Sequence, residues 1–210
     1  MPINKYKLYV FDWDGTLSTS TPLVRFVRIF KRRYSVNYVR SHASSYGRAR
    51  LDRIVYKEEV NRLYASLYDL YLMFVKPKLQ VGALDLLKTL SESGKKVAIF
   101  SDSKKYRLLK EIRLLGALDY VDFVLSADAI KRFKPNPDGL LIMARKFRVG
   151  KRECVYVGDM ASDILTAKFA GFDSCSVGNG VDPYGLLKRI GPDYLFRDLI
   201  EFYRAFWSKK

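Results

Sequence analysis

The chain has 210 residues, 49% of them apolar and 14% aromatic, which allows one good core plus a small second unit and argues against a disordered segment. Its 38 Lys and Arg against 22 Asp and Glu give a formal net charge of +16, which favours an anionic partner, either phosphorylated metabolites or nucleic acid. No apolar run approaches the roughly 20 residues of a membrane span, and Met1 to Lys7 lacks a signal-peptide apolar region, so a cytoplasmic protein with no membrane partner is expected.

Leu8, Tyr9, Val10 and Phe11 read as a buried parallel strand. It stops on Asp12-Trp13-Asp14-Gly15-Thr16, where two acids at i and i+2 would share one side of a strand. Acids at the end of a buried strand are costly without a compensating cation or proton; a plain Asp-Gly turn ending a strand is the competing reading. Ser18 to Thr21 then forms a polar hinge, with Thr21 and Pro22 starting a helix. Leu23, Phe26, Val27 and Phe30 give that helix an apolar stripe, and Arg25, Arg28 and Arg32 a basic face. A second helix is predicted over about 57–75, with Val60, Leu63, Tyr64, Leu67, Tyr71 and Phe74 inward, ended by Lys76-Pro77-Lys78 and a second hinge over 76–80. From Thr21 to Lys76 there are twelve Lys or Arg and four Asp or Glu, a net of +8. Either this is a solvated basic face, or some of its arginines close over an anionic substrate.

From Val81 onward helices and strands alternate regularly, the pattern of an α/β doubly wound parallel sheet. Helices are predicted over 81–93, 104–115, 138–148 and 161–170, and strands over 96–100, 121–125, 154–158 and 174–177. An edge strand near Asp193 to Phe196 and a closing helix to Trp207 complete the chain. Cys154 and Cys175 fall on core strands and read as buried free thiols. One histidine and no Cys-x-x-Cys pair argue against zinc. Ligands of such sheets gather beyond the carboxyl ends of the strands, where Asp12, Ser101 and Asp159 all sit.

Asp12-x-Asp14-Gly15-Thr16, Ser101 after a strand, Lys134 in Lys134-Pro135-Asn136-Pro137-Asp138, and Gly158-Asp159-x-x-x-Asp163 occur in that order. Together they resemble the four motifs of the haloacid dehalogenase-like (HAD) hydrolases, most of which are Mg²⁺-dependent phosphatases. The resemblance covers residues 6–17 and about 80–180. It implies a core domain of residues 1–17 and 78–210, with residues 18–77 inserted as a helical cap, as in phosphoglycolate phosphatase and β-phosphoglucomutase relatives. By the same resemblance Asp12 is the nucleophile that forms an aspartyl phosphate, and Asp14 is the general acid–base residue. The Mg²⁺ ligands would be Asp12, the Asp14 carbonyl and Asp159, with Asp163 binding through water or from behind. Ser101 would hydrogen-bond the phosphate and Lys134 would face both nucleophile and phosphate; Lys131 and Arg132 compete for the latter place. Asp102 departs from the family's usual Asn or small polar residue, and is expected to turn away or cap the following helix. Arg48 and Arg50, beside Gly47, are the candidates for reading the substrate. His42 and the aromatics Tyr34, Tyr38, Tyr46 and Tyr56 have no assigned role.

The leading expectation is a phosphatase acting on a small phosphorylated metabolite, phosphoglycolate-like or a sugar phosphate, as a monomer or homodimer. A phosphomutase of the β-phosphoglucomutase type is the nearest alternative. A basic nucleic-acid-binding protein on this scaffold is the alternative of another class, and retention of Asp12, Asp14 and Asp159 speaks against it.

Overall fold

The computed structural model describes residues 2–19, 67, 70, 71 and 74–207. Its centre is strand β1 (Leu8–Phe11), buried along its whole length. β1 pairs in parallel with β4 (Lys96–Phe100) on one side and β6 (Cys154–Gly158) on the other. The register sets Phe11 beside Ile99 and Val157, so β4 and β6 each end one residue beyond β1. β5 (Phe123–Leu125), β7 (Asp173–Val177) and β8 (Tyr194–Phe196) complete a parallel sheet in the order β5-β4-β1-β6-β7-β8. The chain winds outward from β1 in one direction and then crosses back to β6, so a crevice opens beyond the strand ends beside β1.

Helices cover both faces, which is why β1 is continuously apolar rather than alternating. Tyr9, Phe11, Val97 and Ile99 pack with Leu86, Leu87 and Leu90 of α1 (Ala83–Glu92), Leu108 and Ile112 of α2 (Lys105–Leu114), and Phe202 and Phe206 of α6 (Leu199–Trp207). Leu8, Val10, Ala98 and Tyr156 point the other way, onto Leu140 and Met143 of α3 (Asp138–Phe147) and Ala167 and Ala170 of α4 (Ala161–Ala170). The α/β doubly wound sheet expected from the sequence is the fold observed. Among the described residues no helix is long and apolar enough to cross a membrane. Both cysteines are free and buried, on β6 and β7.

Some local expectations need correction. Ser18–Thr19 (β2) and Lys78–Leu79 (β3) are the ends of the two segments read as hinges, yet they pair as an antiparallel ribbon, Ser18 opposite Leu79 and Thr19 opposite Lys78. Gln80 adds its amide to the Leu17 carbonyl at 2.8 Å and its side chain to the Gly15 carbonyl at 3.2 Å. Two-residue strands carry no periodicity, so only pairing reveals them. Helix α5 (Tyr184–Ile190) is likewise additional to the elements predicted. α3 ends within a residue of its predicted limit, with Arg148 as its left-handed cap. Residues 67, 70, 71 and 74 are helical as expected, but Leu67 and Phe74 are exposed at 57% and 79% instead of inward. Helical spacing groups residues on one face without saying which side that face takes. The helix begun by Thr21 and Pro22, together with His42, Arg48, Arg50 and all other residues over 20–66, lies outside the described residues.

Candidate active site

At the end of β1 the Asp12 amide still donates to the Val157 carbonyl at 2.8 Å, which holds Asp12 against β6. The chain then turns: Leu17 and Ser18 amides return to the Trp13 carbonyl at 3.0 and 2.9 Å, and Gly15 takes a left-handed φ of 86°. The strand has ended at Phe11, so strand alternation does not fix where Asp12 and Asp14 point. Asp12 meets Lys134, whereas Asp14 meets Arg107 and Ser103.

Asp159 and Asp163 come from the junction of β6 and α4. Asp163, in the first turn of α4, accepts the Met160 and Asp159 amides on Oδ2 at 2.9 and 3.2 Å, the position in which a carboxylate satisfies orphan N–H groups and complements the helix dipole. Asp159 accepts the Thr16 hydroxyl at 2.9 Å and the Val181 amide at 2.7 Å. The carboxylates sit so close to the chain that two glycines are required for space. A Cβ on Gly158 would lie 2.3 Å from the Asp163 Cβ, and one on Gly180 would lie 2.2 Å from Asp159. Asp12, Asp159 and Asp163 are at most 2% exposed, and ligand oxygens of all three lie within 4.8 Å of one another. That is a set of hard oxygen donors able to hold a metal ion.

Lys134 closes the cluster. Its ammonium lies 3.0 Å from Asp12 Oδ1 and 2.8 Å from Asp163 Oδ1, and donates to the Tyr156 hydroxyl at 3.0 Å. Burial alone would push this ammonium's pKa down, but the attraction of Asp12 and then Asp163 outweighs it and holds Lys134 well above the usual lysine range. Lys131 and Arg132 are exposed, and Arg132 pairs with Asp138 at 2.9 Å. The geometry therefore selects Lys134 from the three cations of that loop. Asp102 does not cap α2: its Oδ1 accepts the Lys134 amide at 3.4 Å, and the Lys105 amide goes to Asp128 at 2.5 Å instead. Ser101, 2% exposed at the end of β4, accepts the Ser103 amide on its hydroxyl at 3.2 Å.

Sequence reading missed two parts of this site. The single Tyr156 O–H is shared between the Asp163 carboxylate at 3.2 Å and the Phe100 carbonyl at 3.3 Å. It stands three residues before Asp159 on β6, and strand alternation of Cys154, Tyr156 and Gly158 was its available signal. The other part is a buried network. Arg107 donates through Nη2 to Asp14 Oδ2 and through Nη1 to Glu111 Oε1 at 2.9 Å, and Glu111 Oε2 accepts the Trp13 indole N–H at 2.6 Å. Arg107 and Glu111 are four apart, a spacing that from sequence alone reads as a surface helix pair.

A sequence model of haloacid dehalogenase-like hydrolases matches residues 9–177. The chain belongs to this family. The pyrophosphatase PpaX of Halalkalibacterium halodurans is 27% identical over 206 residues, covering 90% of this chain and 92% of that protein. The phosphoglycolate phosphatase of Psychrobacter arcticus is 23% identical over 215 residues, covering 91% and 92%. Among solved structures, CbbY from Rhodobacter sphaeroides in complex with phosphate superposes with a TM-score of 0.69 at 17% identity, covering 94% of this chain and 96% of that one. A Bacteroides fragilis protein assigned to the haloacid dehalogenase-like hydrolases superposes at 0.71 and 23%, covering 93% and 98%. At such identities these superpositions speak for the HAD fold alone.

Proposed function

We propose that this HAD protein is a Mg²⁺-dependent phosphatase that hydrolyses a small phosphorylated metabolite through an aspartyl phosphate on Asp12. The observation that carries the reading is the buried cluster of Asp12, Asp159 and Asp163 with Lys134 between Asp12 and Asp163. Asp12, Asp159 and Asp163 bring three carboxylates to the mouth of the sheet against the single positive charge of Lys134. Buried carboxylates in such excess suit a divalent cation, and an all-oxygen donor set suits Mg²⁺. Asp12, Asp159 and the Asp14 carbonyl would hold it, with Asp163 supporting from behind. Bound there, Mg²⁺ would neutralise charge between the Asp12 carboxylate and the substrate phosphate.

The chain's own groups supply the rest. An oxygen of Asp12 attacks phosphorus as the bond to the leaving oxygen breaks, and the Asp14 carboxyl gives that oxygen its proton. Asp14, now a carboxylate, takes a proton from water as the water attacks phosphorus and the bond to Asp12 breaks. Lys134 and the Ser101 hydroxyl bind phosphate oxygens throughout, and Asp102 holds the Lys134 loop through its backbone amide. Residues 18–77 act as a helical cap whose net positive charge draws in anionic substrate, with Arg48 and Arg50 contacting it. Two unbridged cysteines support a reducing, cytoplasmic setting.

The relatives' names put pyrophosphate and phosphoglycolate first on the list of substrates to try. The test is phosphate release from these and from sugar monophosphates, with Mg²⁺ or excess chelator, by the native protein and by Asp12→Asn. Release that needs Mg²⁺ and vanishes in Asp12→Asn is expected. Full turnover in chelator, or by Asp12→Asn, refutes the mechanism. Isomerisation of a sugar phosphate without phosphate release makes the protein a mutase.

A further inference from the structure

We infer that Arg107 is a positioning residue for the acid–base step, holding Asp14 where it can serve the leaving group and the water. This rests on the reading of Asp14 as the acid–base residue. Arg107 and Asp14 have side chains only 3% and 8% exposed. Two donors, Arg107 Nη2 and the Ser103 hydroxyl, converge on the same Asp14 oxygen, Oδ2, and together they set the rotation of the carboxylate. The other arm of the guanidinium reaches Glu111, whose second oxygen accepts the indole N–H of Trp13. Trp13 is the residue immediately before Asp14. The contacts thus close a ring through Asp14, Arg107, Glu111 and Trp13 and back along the peptide bond. It grips the dipeptide by both of its side chains.

Stability alone is a poor account of this ring. Buried ion pairs generally add little over well-packed apolar residues of the same volume, and are retained where they specify one arrangement. Arginine suits the task because its rigid fork can serve two carboxylates in fixed directions, which a lysine ammonium cannot. The arrangement also couples two strands. Asp14 follows β1, whereas Ser103 and Arg107 follow β4 and Ser101, so the acid–base group is placed relative to the proposed phosphate-binding loop. A misplaced acid costs rate without costing substrate binding.

The test is the dependence on leaving group. p-Nitrophenyl phosphate expels an anion that needs no proton, whereas phosphoglycolate, or whichever alkyl monoester the panel shows to be turned over fastest, expels an alkoxide that does. The variant is Arg107→Met with Glu111→Gln, so that Glu111 is not left charged and unpaired and Trp13 keeps an acceptor. Its kcat/KM for the alkyl ester is expected to fall by about 100-fold, the lower range of general acid–base contributions. Its kcat/KM for p-nitrophenyl phosphate should stay within about threefold, while kcat for that ester falls and a burst of one nitrophenolate per site appears, because Asp14 must also activate water. Arg107→Lys, which keeps the charge and loses the fork, should show the same split at smaller size, and it decides the matter if the double variant does not fold. Equal losses of kcat/KM on both esters, or no loss on either, overturn the inference. Asp14→Asn is measured alongside. If it lacks the split, the reading of Asp14 fails; if it shows the split and the Arg107 variants do not, only the role of Arg107 falls.

Discussion

Replacing Lys134 with methionine tests the electrostatics of the site most directly. Its ammonium lies 3.0 Å from Asp12 and 2.8 Å from Asp163, with all three side chains nearly excluded from water. At an effective dielectric of about 20, each contact corresponds to about 6 kcal/mol of Coulomb attraction. Desolvation of the ammonium offsets much of this, and removing one partner of a buried set typically costs about 3–5 kcal/mol. In a chain of this length 1 kcal/mol moves Tm by about 2–4 °C, so the metal-free variant should melt about 6–20 °C lower. Mg²⁺ should then recover more in the variant than in the native protein, because its carboxylates bind a cation without a competing positive charge beside them. A ligand at 100 times its Kd contributes about 2.7 kcal/mol, which sets the scale of that recovery. Turnover should fall by at least about 10²–10³-fold, the cost of removing one oxyanion-hole donor from an acyl-transfer site. Circular-dichroism melts of both proteins, in chelator and in Mg²⁺, read the stabilities, and phosphate release reads the turnover. An unchanged metal-free Tm, or a Mg²⁺ shift no larger than in the native protein, would refute the account of Lys134 as the cation that compensates the cluster.

Gly180→Ala is expected to weaken Mg²⁺ binding by about 10–100-fold, since its Cβ would lie 2.2 Å from Asp159 and push that carboxylate aside. The Mg²⁺ concentration for half-maximal activity measures it, and Gly185→Ala, with nothing within 4 Å of the added carbon, is the control that should be silent. Burial pushes the Cys154 thiol up to about 12 and the Cys175 thiol well above its ordinary value. Neither should react with a thiol reagent in the native protein at pH 8, and both should react in denaturant. Since unfolding lets these thiols ionise near pH 8.5–9, their contribution to stability is full below about pH 9 and declines above it. Urea midpoints at pH 8 and pH 10 test the sign, and rapid native-state labelling at pH 8 would contradict the burial.

The HAD core was legible in the sequence because its signals are local. A strand buried on both faces must be continuously apolar, and helices that cover it must show an apolar stripe at their own period. Acids and a serine at strand ends mark the rim where a parallel sheet binds its ligands. Asp12, Ser101 and Asp159 could therefore be placed on that rim before any of them had neighbours, whereas Asp163 and Lys134 were named through the resemblance of the motifs around them to those of the HAD hydrolases. Tertiary structure decided what no local pattern encodes. The strand ends at Phe11, and the turn that follows delivers Asp14 to Arg107 on α2. Arg107 and Glu111 look like a solvent-facing pair until α2 packs them beside Trp13. Asp102 chooses the Lys134 amide over the helix end next to it, and Gly180 is required only because Asp159, 21 residues earlier in the chain, fills the space a side chain would need. The physical reason is common to these cases. Propensity and periodicity act over a few residues, whereas buried charges are satisfied by whichever groups the sheet and its helices bring within 3 Å or so.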